Sequence, residues 1–509
     1  MRLDRSLMVV VAMLIAAVLA VFGLQPDRVF FGDGHVGWVS SHTLAIIANA
    51  TPEHLFLGFT CDFSDSRGFS YFDRYPVLFS GVMNTLLQPF RDSVEAYVGW
   101  ARFYMNWIYV FSLLMGYKIA MLLTRDRYVS LLATMFTFSG VFFVFYKDMV
   151  HFDQPAVLGM LLAFYGIARY EMDGNARWVW LSLVAVLLGR GYASNFLLLL
   201  WNVLWVARLL VARNFRVGVY FRSVPFKVFV ACGLLASGAL AYNVISEARI
   251  KEISWDETSI VKSAVYRLNL SDEEKGEGRT DIPRFLTDQA ERTVGGFVPY
   301  ALYPYQGRNK PDSNHVLIAG YLLILSVLGA LSLFQTDLRA RARGRYGLLA
   351  LGLFCGFFWL FPMRNLAAFH NYTHIYNAIF YLLVFSGVFY CLRGKRASSL
   401  LSIVGLVVLV ASLWELRETR ADYNTVDNDL AADVDRIRGY LDDREPAPLY
   451  FPQGYRHLVD GSPYAACFYF SGYRIDDEES EGALVVTREK LPRPELVDGL
   501  ERLHVYPGR

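Results

Sequence analysis

Charged residues are scarce in this chain, and that scarcity excludes the ordinary soluble classes of protein. Of its 509 residues, 19% are charged, 54% are hydrophobic and 16% are aromatic. Such a composition lies outside the range of a soluble globular domain. The formal net charge of +2 is too small to indicate a nucleic-acid partner. The sequence therefore predicts a polytopic membrane protein that binds no nucleic acid.

Cysteine is also rare, and several familiar catalytic motifs are missing. The five cysteines show neither Cys-x-x-Cys spacing nor a zinc-ligand pattern. Gly-x-Ser-x-Gly, a Walker loop, a Rossmann fingerprint and His-Glu-x-x-His are all absent from the chain. Cys61 and Cys467 fall in predicted outer segments, where a disulfide is chemically permitted. The sequence says nothing about their separation, so it leaves their pairing open.

Long apolar runs dominate what the chain does contain. A helix needs roughly 20 apolar residues to cross a hydrocarbon core about 30 Å thick. By this measure we predict about eleven transmembrane helices, the first of them retained rather than cleaved. The predicted spans are 7–24, 99–123, 129–146, 154–170, 178–190, 192–211, 225–246, 315–334, 346–362, 374–392 and 398–414.

Short arginine clusters between the spans indicate the orientation. When the spans alternate, these clusters fall on one side, which the positive-inside bias makes the cytoplasm. We predict two short helices in the segment 178–211, with Arg190 at their outer turn. A single tilted span there would instead reverse the predicted orientation of every later span. The sequence thus predicts a multi-pass protein of the bacterial inner membrane, with a cytoplasmic N-terminus and an extracytoplasmic C-terminal region.

The outer segments have their own patterns. In the first outer loop, amphipathic stretches at 36–50 and 77–90 predict two interfacial helices. The loop 247–314 is either a mobile lid or a plain connector. The predicted fold is an α-helical membrane domain, residues 1–414, followed by a small extracytoplasmic α/β domain, residues 415–509.

The predicted C-terminal domain contains one polar helix and several short strands. The helix is expected at 427–443, and the strands at 448–451, 483–487 and 503–506.

Two acidic clusters follow apolar spans and suggest chemistry at the membrane rim. Asp33 lies between glycines and is followed by His35, whereas Asp148, His151 and Asp153 share a second segment. A carboxylate in a partly apolar cleft is a competent general base for an acceptor hydroxyl or amine. The competing interpretation is that Asp148 or Asp153 caps the next helix. Asp148, His151 and Asp153 are compatible with a divalent cation, but they do not require one.

Four cations near predicted outer boundaries are candidates to bind a phosphate: Arg74, Lys147, Arg190 and Arg364. Arginine forks match phosphate oxygens in a bidentate way. Arg190 lies between two glycines in an apolar stretch. A charged side chain in the membrane is costly unless it pairs with an opposite charge. A structural salt bridge is its alternative role. The segment around His370 would contact a headgroup or sugar, or would anchor the chain at the interface.

The arrangement resembles the GT-C glycosyltransferase superfamily, in particular its protein mannosyltransferase and lipid A aminoarabinose transferase branch. The resemblance rests on the first-loop Asp33, the motif Tyr-Phe-Asp-Arg-Tyr-Pro at 71–76, and Asp-x-x-His-x-Asp-x-Pro at 148–155. The predicted C-terminal outer domain is similar as well, and the resemblance implies a strand at 465–470 within it. Both motifs are short, which leaves the subfamily and the substrate open.

This resemblance implies a reaction and roles for named residues. Asp33 would be the catalytic base, with Asp148 or Asp153 as the second acidic residue. The donor would be a polyprenyl-phosphate-linked sugar, and the acceptor a lipid, a glycan or a protein. The resemblance implies no cofactor, and a divalent cation stays an open alternative. The expected contacts to sugar or acceptor are His35, Tyr71, Asp73, His151 and His370.

Two other functions are compatible with the sequence. A flippase or transporter of lipid-linked glycans would place charges near the membrane midplane and show repeated halves. A polysaccharide polymerase or ligase of another fold would also use lipid-linked donors. Because the charges collect at one rim and no repeat is visible, the sequence favours the glycosyltransferase.

Overall fold

The computed structural model of the chain describes residues 35–50, 58–63, 69–72, 78–188, 191–212, 216–267, 282–302, 345–364, 367, 370–391, 395–423, 428–445, 447–454, 464–476 and 478–508. The predicted spans at 7–24 and 315–334 lie outside these residues.

Helices form most of the described structure, and short strands follow or interrupt them. The α-helices are α1 His35–Ala48, α2 Leu78–Leu87, α3 Val94–Thr124, α4 Arg127–Phe138, α5 Val141–Phe145, α6 Asp153–Asp173, α7 Leu181–Leu187, α8 Gly191–Val211, α9 Val217–Arg222, α10 Val224–Lys251, α11 Ser259–Arg267, α12 Ile282–Gly296, α13 Arg345–Leu360, α14 Ala378–Cys391, α15 Lys395–Tyr423, α16 Asn428–Asp442 and α17 Ala465–Tyr469. The strands are β1 Gly58–Phe63, β2 Phe69–Phe72, β3 Leu449–Tyr450, β4 Arg474–Asp476, β5 Leu484–Thr487 and β6 His504–Pro507.

Within the described ranges, four helical segments are long and apolar enough to cross a membrane. They are Val94–Thr124, Ala193–Val211, Val224–Lys251 and Tyr372–Tyr390. Each coincides with a predicted span. Three shorter apolar segments also fall on predicted spans: Ala176–Leu187, Ala350–Leu360 and Ile403–Leu416. The full count of about eleven spans and their orientation stay predictions.

Helix α3 is long enough to protrude from the membrane. Its 31 residues correspond to a length of about 46 Å, which exceeds the hydrocarbon core of about 30 Å. Ser93 caps its first turn by accepting the N–H of Ala96. Asp435, from the C-terminal region, accepts the N–H of Val94 at 3.0 Å. Burial raises the pKa of the Asp435 carboxyl. The N-terminal end of α3 therefore packs against the C-terminal region.

A break divides the predicted span at 129–146 into α4 and α5. At the break, the carbonyl of Ser139 accepts the N–H of Tyr300 at 2.9 Å. Gly140 permits this close approach, because a Cβ there would lie 2.7 Å from the carbonyl oxygen of Gly296. The segment that follows α12 is thereby fastened to the helix bundle.

Helices α6 and α7 pack closely in opposite directions. A Cβ at Gly159 would lie 2.6 Å from the carbonyl oxygen of Ala185, and one at Gly166 would lie 2.4 Å from that of Trp178. The connection between α7 and α8 therefore lies toward the N-terminal end of α6. This agrees with the two short helices predicted at 178–211. Helix α7 has only seven residues, too few to cross a bilayer by itself.

One mixed sheet joins two distant parts of the chain. Its strand order is β2-β1-β4-β3-β5-β6. Strands β1 and β2 come from the first outer loop, and β1 pairs in parallel with β4 through Asp62 and Arg474. The sequence did not predict this hairpin. The sheet therefore contains strands from both sides of the predicted division at 414/415, and α15 runs through that division without a break. As a boundary between folding units, 414/415 stays a prediction.

Most predicted elements of the C-terminal region are present. The helix at 427–443 is confirmed as α16, and three of the predicted strands are confirmed as β3, β5 and β6. The strand predicted at 465–470 is wrong, since Ala465–Tyr469 forms α17 and is buried throughout. A short apolar run does not distinguish a buried strand from a buried helix.

The first outer loop and the C-terminal region are held together covalently. Cys61 of β1 and Cys467 of α17 form a disulfide, with their Cα atoms 5.1 Å apart. Near the end of α1, Asn49 Oδ1 accepts the N–H of Gly472 at 3.2 Å. Because disulfides persist in oxidising compartments, this bond is consistent with the predicted outer location of both segments.

The two helices of the first outer loop differ in their surroundings. Helix α1 matches the stretch predicted at 36–50, but residues 44–47 have no exposed surface and Thr43 is buried as well. The interfacial prediction for this stretch is therefore wrong, because neighbouring elements cover the helix on its polar face too. Helix α2 exposes Val82 and Leu86, four residues apart on one face, as expected of an interfacial helix.

We expect loss of the disulfide to loosen the first outer loop. The variant Cys61→Ala should lower the free energy of unfolding by about 2–4 kcal/mol, because the two outer segments lose their covalent link. Thermal unfolding in lipid nanodiscs measures the change. Cys232→Ala is the matched control, since Cys232 is a buried free thiol. Equal unfolding temperatures for both variants would contradict the structural role of the bond.

Candidate functional site

Polar side chains gather where three helices begin at one end of the bundle. Arg102 lies in the N-terminal third of α3, the segment 146–152 leads into α6, and Tyr376 precedes α14. We define these side chains as the polar cluster: Arg102, Asn106, Lys147, Asp148, His151, Asp153 and Tyr376.

Two cations share one carboxylate oxygen in the polar cluster. Arg102 donates from Nε at 3.2 Å and from Nη2 at 2.8 Å to Oδ2 of Asp148. Lys147 Nζ lies 3.9 Å from the same oxygen and donates to Oδ1 of Asn106 at 2.8 Å. The Arg102 side chain is 13% exposed and that of Asp148 only 2%. Asp148 thus lies beside two cations, and it orients the guanidinium of Arg102 through two hydrogen bonds.

Asp153 holds two neighbouring side chains. Its Oδ2 lies 2.5 Å from Nδ1 of His151, and its Oδ1 accepts the hydroxyl of Tyr376 at 2.5 Å. Asp153 has no exposed surface, and His151 is 4% exposed. An ionised Asp153 accepts from Nδ1–H, which makes Nε2 the acceptor nitrogen of a neutral His151. The carboxylate thus fixes the orientation of the imidazole.

The cap interpretation of these carboxylates is contradicted. Helix α6 begins at Asp153, but its N-cap is Phe152, and no side chain makes the cap hydrogen bond. Asp148 faces Arg102 instead. Both carboxylates serve contacts between segments distant in sequence.

The metal set suggested by the sequence is not assembled. In the described part of the chain, no three His, Cys, Asp or Glu side chains are arranged to hold a metal ion. Asp148 pairs with Arg102, while Asp153 contacts His151 and Tyr376. Asp148, His151 and Asp153 therefore do not converge on one point.

Helix α1 is docked onto the polar cluster and onto the segment that carries His370. Ser40 Oγ accepts the N–H of Val150 at 3.2 Å. The rings of Trp38 and His370 are stacked, with their centroids 6.0 Å apart. Asp33 itself lies outside the described residues, but it stands two positions before the first residue of α1. The helix that follows Asp33 thus contacts both polar loops.

The remaining predicted site residues lie in several different places. His370 reaches the polar cluster through Tyr372, whose ring centroid lies 5.1 Å from that of His370 and 5.6 Å from that of His151. Arg364 is partly exposed, four residues beyond the end of α13. His35 begins α1, and Tyr71 lies in β2 opposite Phe59. Three further candidates lie outside the described residues: Asp73, Arg74 and Arg190.

Sequence reasoning missed three members of the polar cluster: Arg102, Asn106 and Tyr376. Two of them lie inside the predicted span 99–123, and the third lies inside 374–392. A charged residue within a span is costly and therefore a functional signal. Arg102, close to the outer end of its span, carried that signal. No comparable signal marked Asn106 or Tyr376, because neutral polar residues are common in spans.

Comparison with known proteins gives similarity of fold only. No protein-family model matches the chain, and no curated protein matches it. ArnT from Cupriavidus metallidurans, solved with undecaprenyl phosphate, is 12% identical with a TM-score of 0.47 over 97% of each chain. AglB from Archaeoglobus fulgidus, solved with an inhibitory peptide and a dolichol-phosphate, is 11% identical with a TM-score of 0.48 over 95% of this chain and 69% of AglB.

The mycobacterial arabinofuranosyltransferase AftD superposes with a TM-score of 0.52 at 14% identity, covering 96% of this chain and 35% of AftD. This chain has a GT-C-like fold. The fold implied by the sequence resemblance is thereby confirmed. The chain spans about a third of the length of AftD, and at such low identity the GT-C fold does not carry over the activity of any of these proteins.

We expect the hydroxyl of Tyr376 to stabilise this region. The variant Tyr376→Phe should lower the free energy of unfolding by about 1–3 kcal/mol, because the buried Asp153 loses a hydrogen bond. Thermal unfolding in nanodiscs is the measurement. Tyr165→Phe is the control, since the Tyr165 ring contacts Trp178 and its hydroxyl has no hydrogen bond among the described residues. A loss no larger than that of the control would show that the bond contributes nothing.

Proposed function

We propose that this chain is an integral membrane glycosyltransferase that moves a sugar from a polyprenyl-phosphate carrier to an acceptor. The reaction would take place at the extracytoplasmic face of a bacterial inner membrane. Three features support the proposal: the GT-C fold, helices of membrane-spanning length, and polar side chains gathered at the ends of those helices.

One observation carries the assignment of the site. Helix α1, which follows Asp33, packs on the loop of the polar cluster through Ser40 and on His370 through Trp38. Two candidate segments that are distant in sequence therefore share one location. We assign Asp33 as the general base on that ground and on the resemblance of the first outer loop to GT-C enzymes.

The proposed step is a single inverting displacement. An acceptor oxygen or nitrogen attacks the anomeric carbon of the donor sugar, and the bond from that carbon to the phosphate oxygen breaks. Its electron pair leaves with the polyprenyl phosphate. Asp33 takes the proton of the attacking group, as a general base does in a water-poor cleft.

The phosphate would bind on the positive side of the polar cluster. Arg102 is the partly exposed cation there, and Asp148 orients its guanidinium. Lys147 has no exposed surface, so its charge would act through the cluster rather than by direct contact. We keep Arg74, Arg190 and Arg364 as further candidates to bind phosphate.

The two carboxylates of the polar cluster have positioning roles in this proposal. Asp148 holds Arg102, and Asp153 holds His151 toward the site where donor and acceptor meet. His35, Tyr71, Asp73 and His370 stay candidates for contact with the sugar or the acceptor.

The test of the function is turnover by the purified protein in lipid nanodiscs. The protein is offered a panel of polyprenyl-phosphate sugars together with extracted membrane glycans, and release of polyprenyl phosphate is measured. We expect release that depends on the acceptor, with inversion of the anomeric configuration by NMR. The same assay with a chelator shows whether turnover requires a divalent cation. Movement of lipid-linked sugar between leaflets without bond cleavage would favour the flippase instead.

A further inference from the structure

Four partly exposed ring side chains form a second group beside the polar cluster. Trp38 and His42 lie on α1, His370 precedes α14, and Tyr464 precedes α17. The centroids of His42 and Tyr464 are 4.4 Å apart, and that of Trp38 lies 6.3 Å from each of them. We call these four side chains the ring cluster.

The ring cluster is assembled from three distant parts of the chain. The first outer loop contributes Trp38 and His42, the bundle contributes His370, and the C-terminal region contributes Tyr464. The disulfide between Cys61 and Cys467 ties two of these parts together, and Cys467 is three residues after Tyr464. The rings are therefore held in place before any ligand binds, which lowers the entropic cost of binding.

The chemistry of these rings fits one class of ligand. Indole, imidazole and phenol each combine a flat apolar face with a polar edge. A sugar ring likewise has a face of C–H groups and a rim of hydroxyls, so it is matched by stacking and edge hydrogen bonds together. An acyl chain would be matched by aliphatic side chains, such as the exposed Leu234, Leu400 and Ile403 of the spans.

The ring cluster is continuous with the polar cluster. Tyr372 lies between the two, with its ring near both His370 and His151. The buried Tyr372 ring thus places the ring cluster one side chain away from His151.

We infer that the ring cluster is the acceptor subsite and that the acceptor is a saccharide chain. This inference rests on the proposed function. It goes further by naming one acceptor class, and by making Tyr464 of the C-terminal region part of the acceptor site.

The test is direct binding, measured without turnover. The full protein in nanodiscs is titrated calorimetrically with four soluble hexasaccharides, a mannan, a glucan, a galactan and an arabinan. We expect at least one to bind the parent protein, and Tyr464→Ala to weaken that binding about tenfold, equivalent to about 1.4 kcal/mol. Tyr464→Phe, which keeps the ring face, should stay within about threefold of the parent, a difference of less than 1 kcal/mol.

Trp38→Ala is the second variant, and Trp100→Ala its matched control. Trp100 lies on α3 in a separate aromatic group with Phe90 and Phe103. Loss of binding in Trp38→Ala with retention in Trp100→Ala supports the inference, provided that the unfolding temperatures agree. It is overturned if no hexasaccharide binds the parent protein, or if Tyr464→Ala binds as tightly as the parent.

Failure of this inference and failure of the proposed function are distinguishable. If turnover occurs but saccharide binding is independent of the ring cluster, the enzyme stands and the acceptor subsite is elsewhere. If saccharide binding depends on the rings but no donor is cleaved, the subsite stands and the glycosyltransferase proposal fails.

Discussion

Replacing Asp33 by asparagine should lower the turnover number by about 10²- to 10⁴-fold, the usual contribution of general base catalysis. The amide keeps the size and polarity of the side chain but cannot take the proton of the acceptor. Donor binding should change little, because the phosphate is bound by cations elsewhere. Release of polyprenyl phosphate under single-turnover conditions measures the chemical step separately from binding.

Asp27→Asn is the matched control for Asp33→Asn. Asp27 stands six residues before Asp33, in the same predicted outer segment, and the proposed mechanism gives it no role. We expect the control to retain nearly full turnover. Equal turnover in both variants would remove Asp33 from the chemistry, while an equal loss in both would point to general disruption of the loop.

Replacing Arg102 by methionine should destabilise the protein by about 3 kcal/mol, near the lower end of the range for breaking a buried ion pair. The change leaves Asp148 buried without its guanidinium partner. Lys147, 3.9 Å from the same oxygen, compensates only in part. Chemical unfolding in nanodiscs measures the loss. Arg502→Met is the control, because the Arg502–Asp429 pair is about half exposed, so its loss should cost less than about 1 kcal/mol.

A double variant separates the cost of an unpaired charge from the value of the pair. Arg102→Met combined with Asp148→Leu removes both charges, and we expect it to be more stable than either single variant. Its turnover should stay low, because the phosphate has lost Arg102. Additive losses of stability in the double variant would contradict the pairing, and full turnover would contradict the role of Arg102.

The membrane part of the fold was largely predictable from the sequence. The span predicted at 99–123 lies within α3, and that at 225–246 lies within α10. A membrane-spanning helix is recognised by the length of its apolar run, so a single window of sequence is enough to locate it. The break at Ser139 was not predicted, and the carbonyl freed there accepts the N–H of Tyr300, far along the chain.

The outer region was harder to predict, because its elements are defined by distant partners. Strand β1 pairs with β4, and Cys61 bonds to Cys467 across 406 residues. No local pattern specifies either contact. For the same reason α1 looked interfacial: Ser40 is buried and accepts the N–H of Val150, a partner that a local amphipathic pattern does not reveal.

The candidate site was likewise predicted only in part. Lys147, Asp148, His151 and Asp153 were predicted together because they share one short segment. Their partners lie on other helices: Arg102 pairs with Asp148, and the Tyr376 hydroxyl bonds to Asp153 across 223 residues. Sequence identified the residue types for the chemistry, whereas the pairing that assigns them positioning roles required the fold.

The most direct test of the account is a cryo-EM map of the protein in nanodiscs with a non-transferable polyprenyl-phosphate sugar. We expect the phosphate to lie beside Arg102, at the end of the bundle where α3, α6 and α14 begin, with the lipid tail along the apolar faces of the helices. A donor bound near the middle of the membrane, away from the polar cluster, would contradict it.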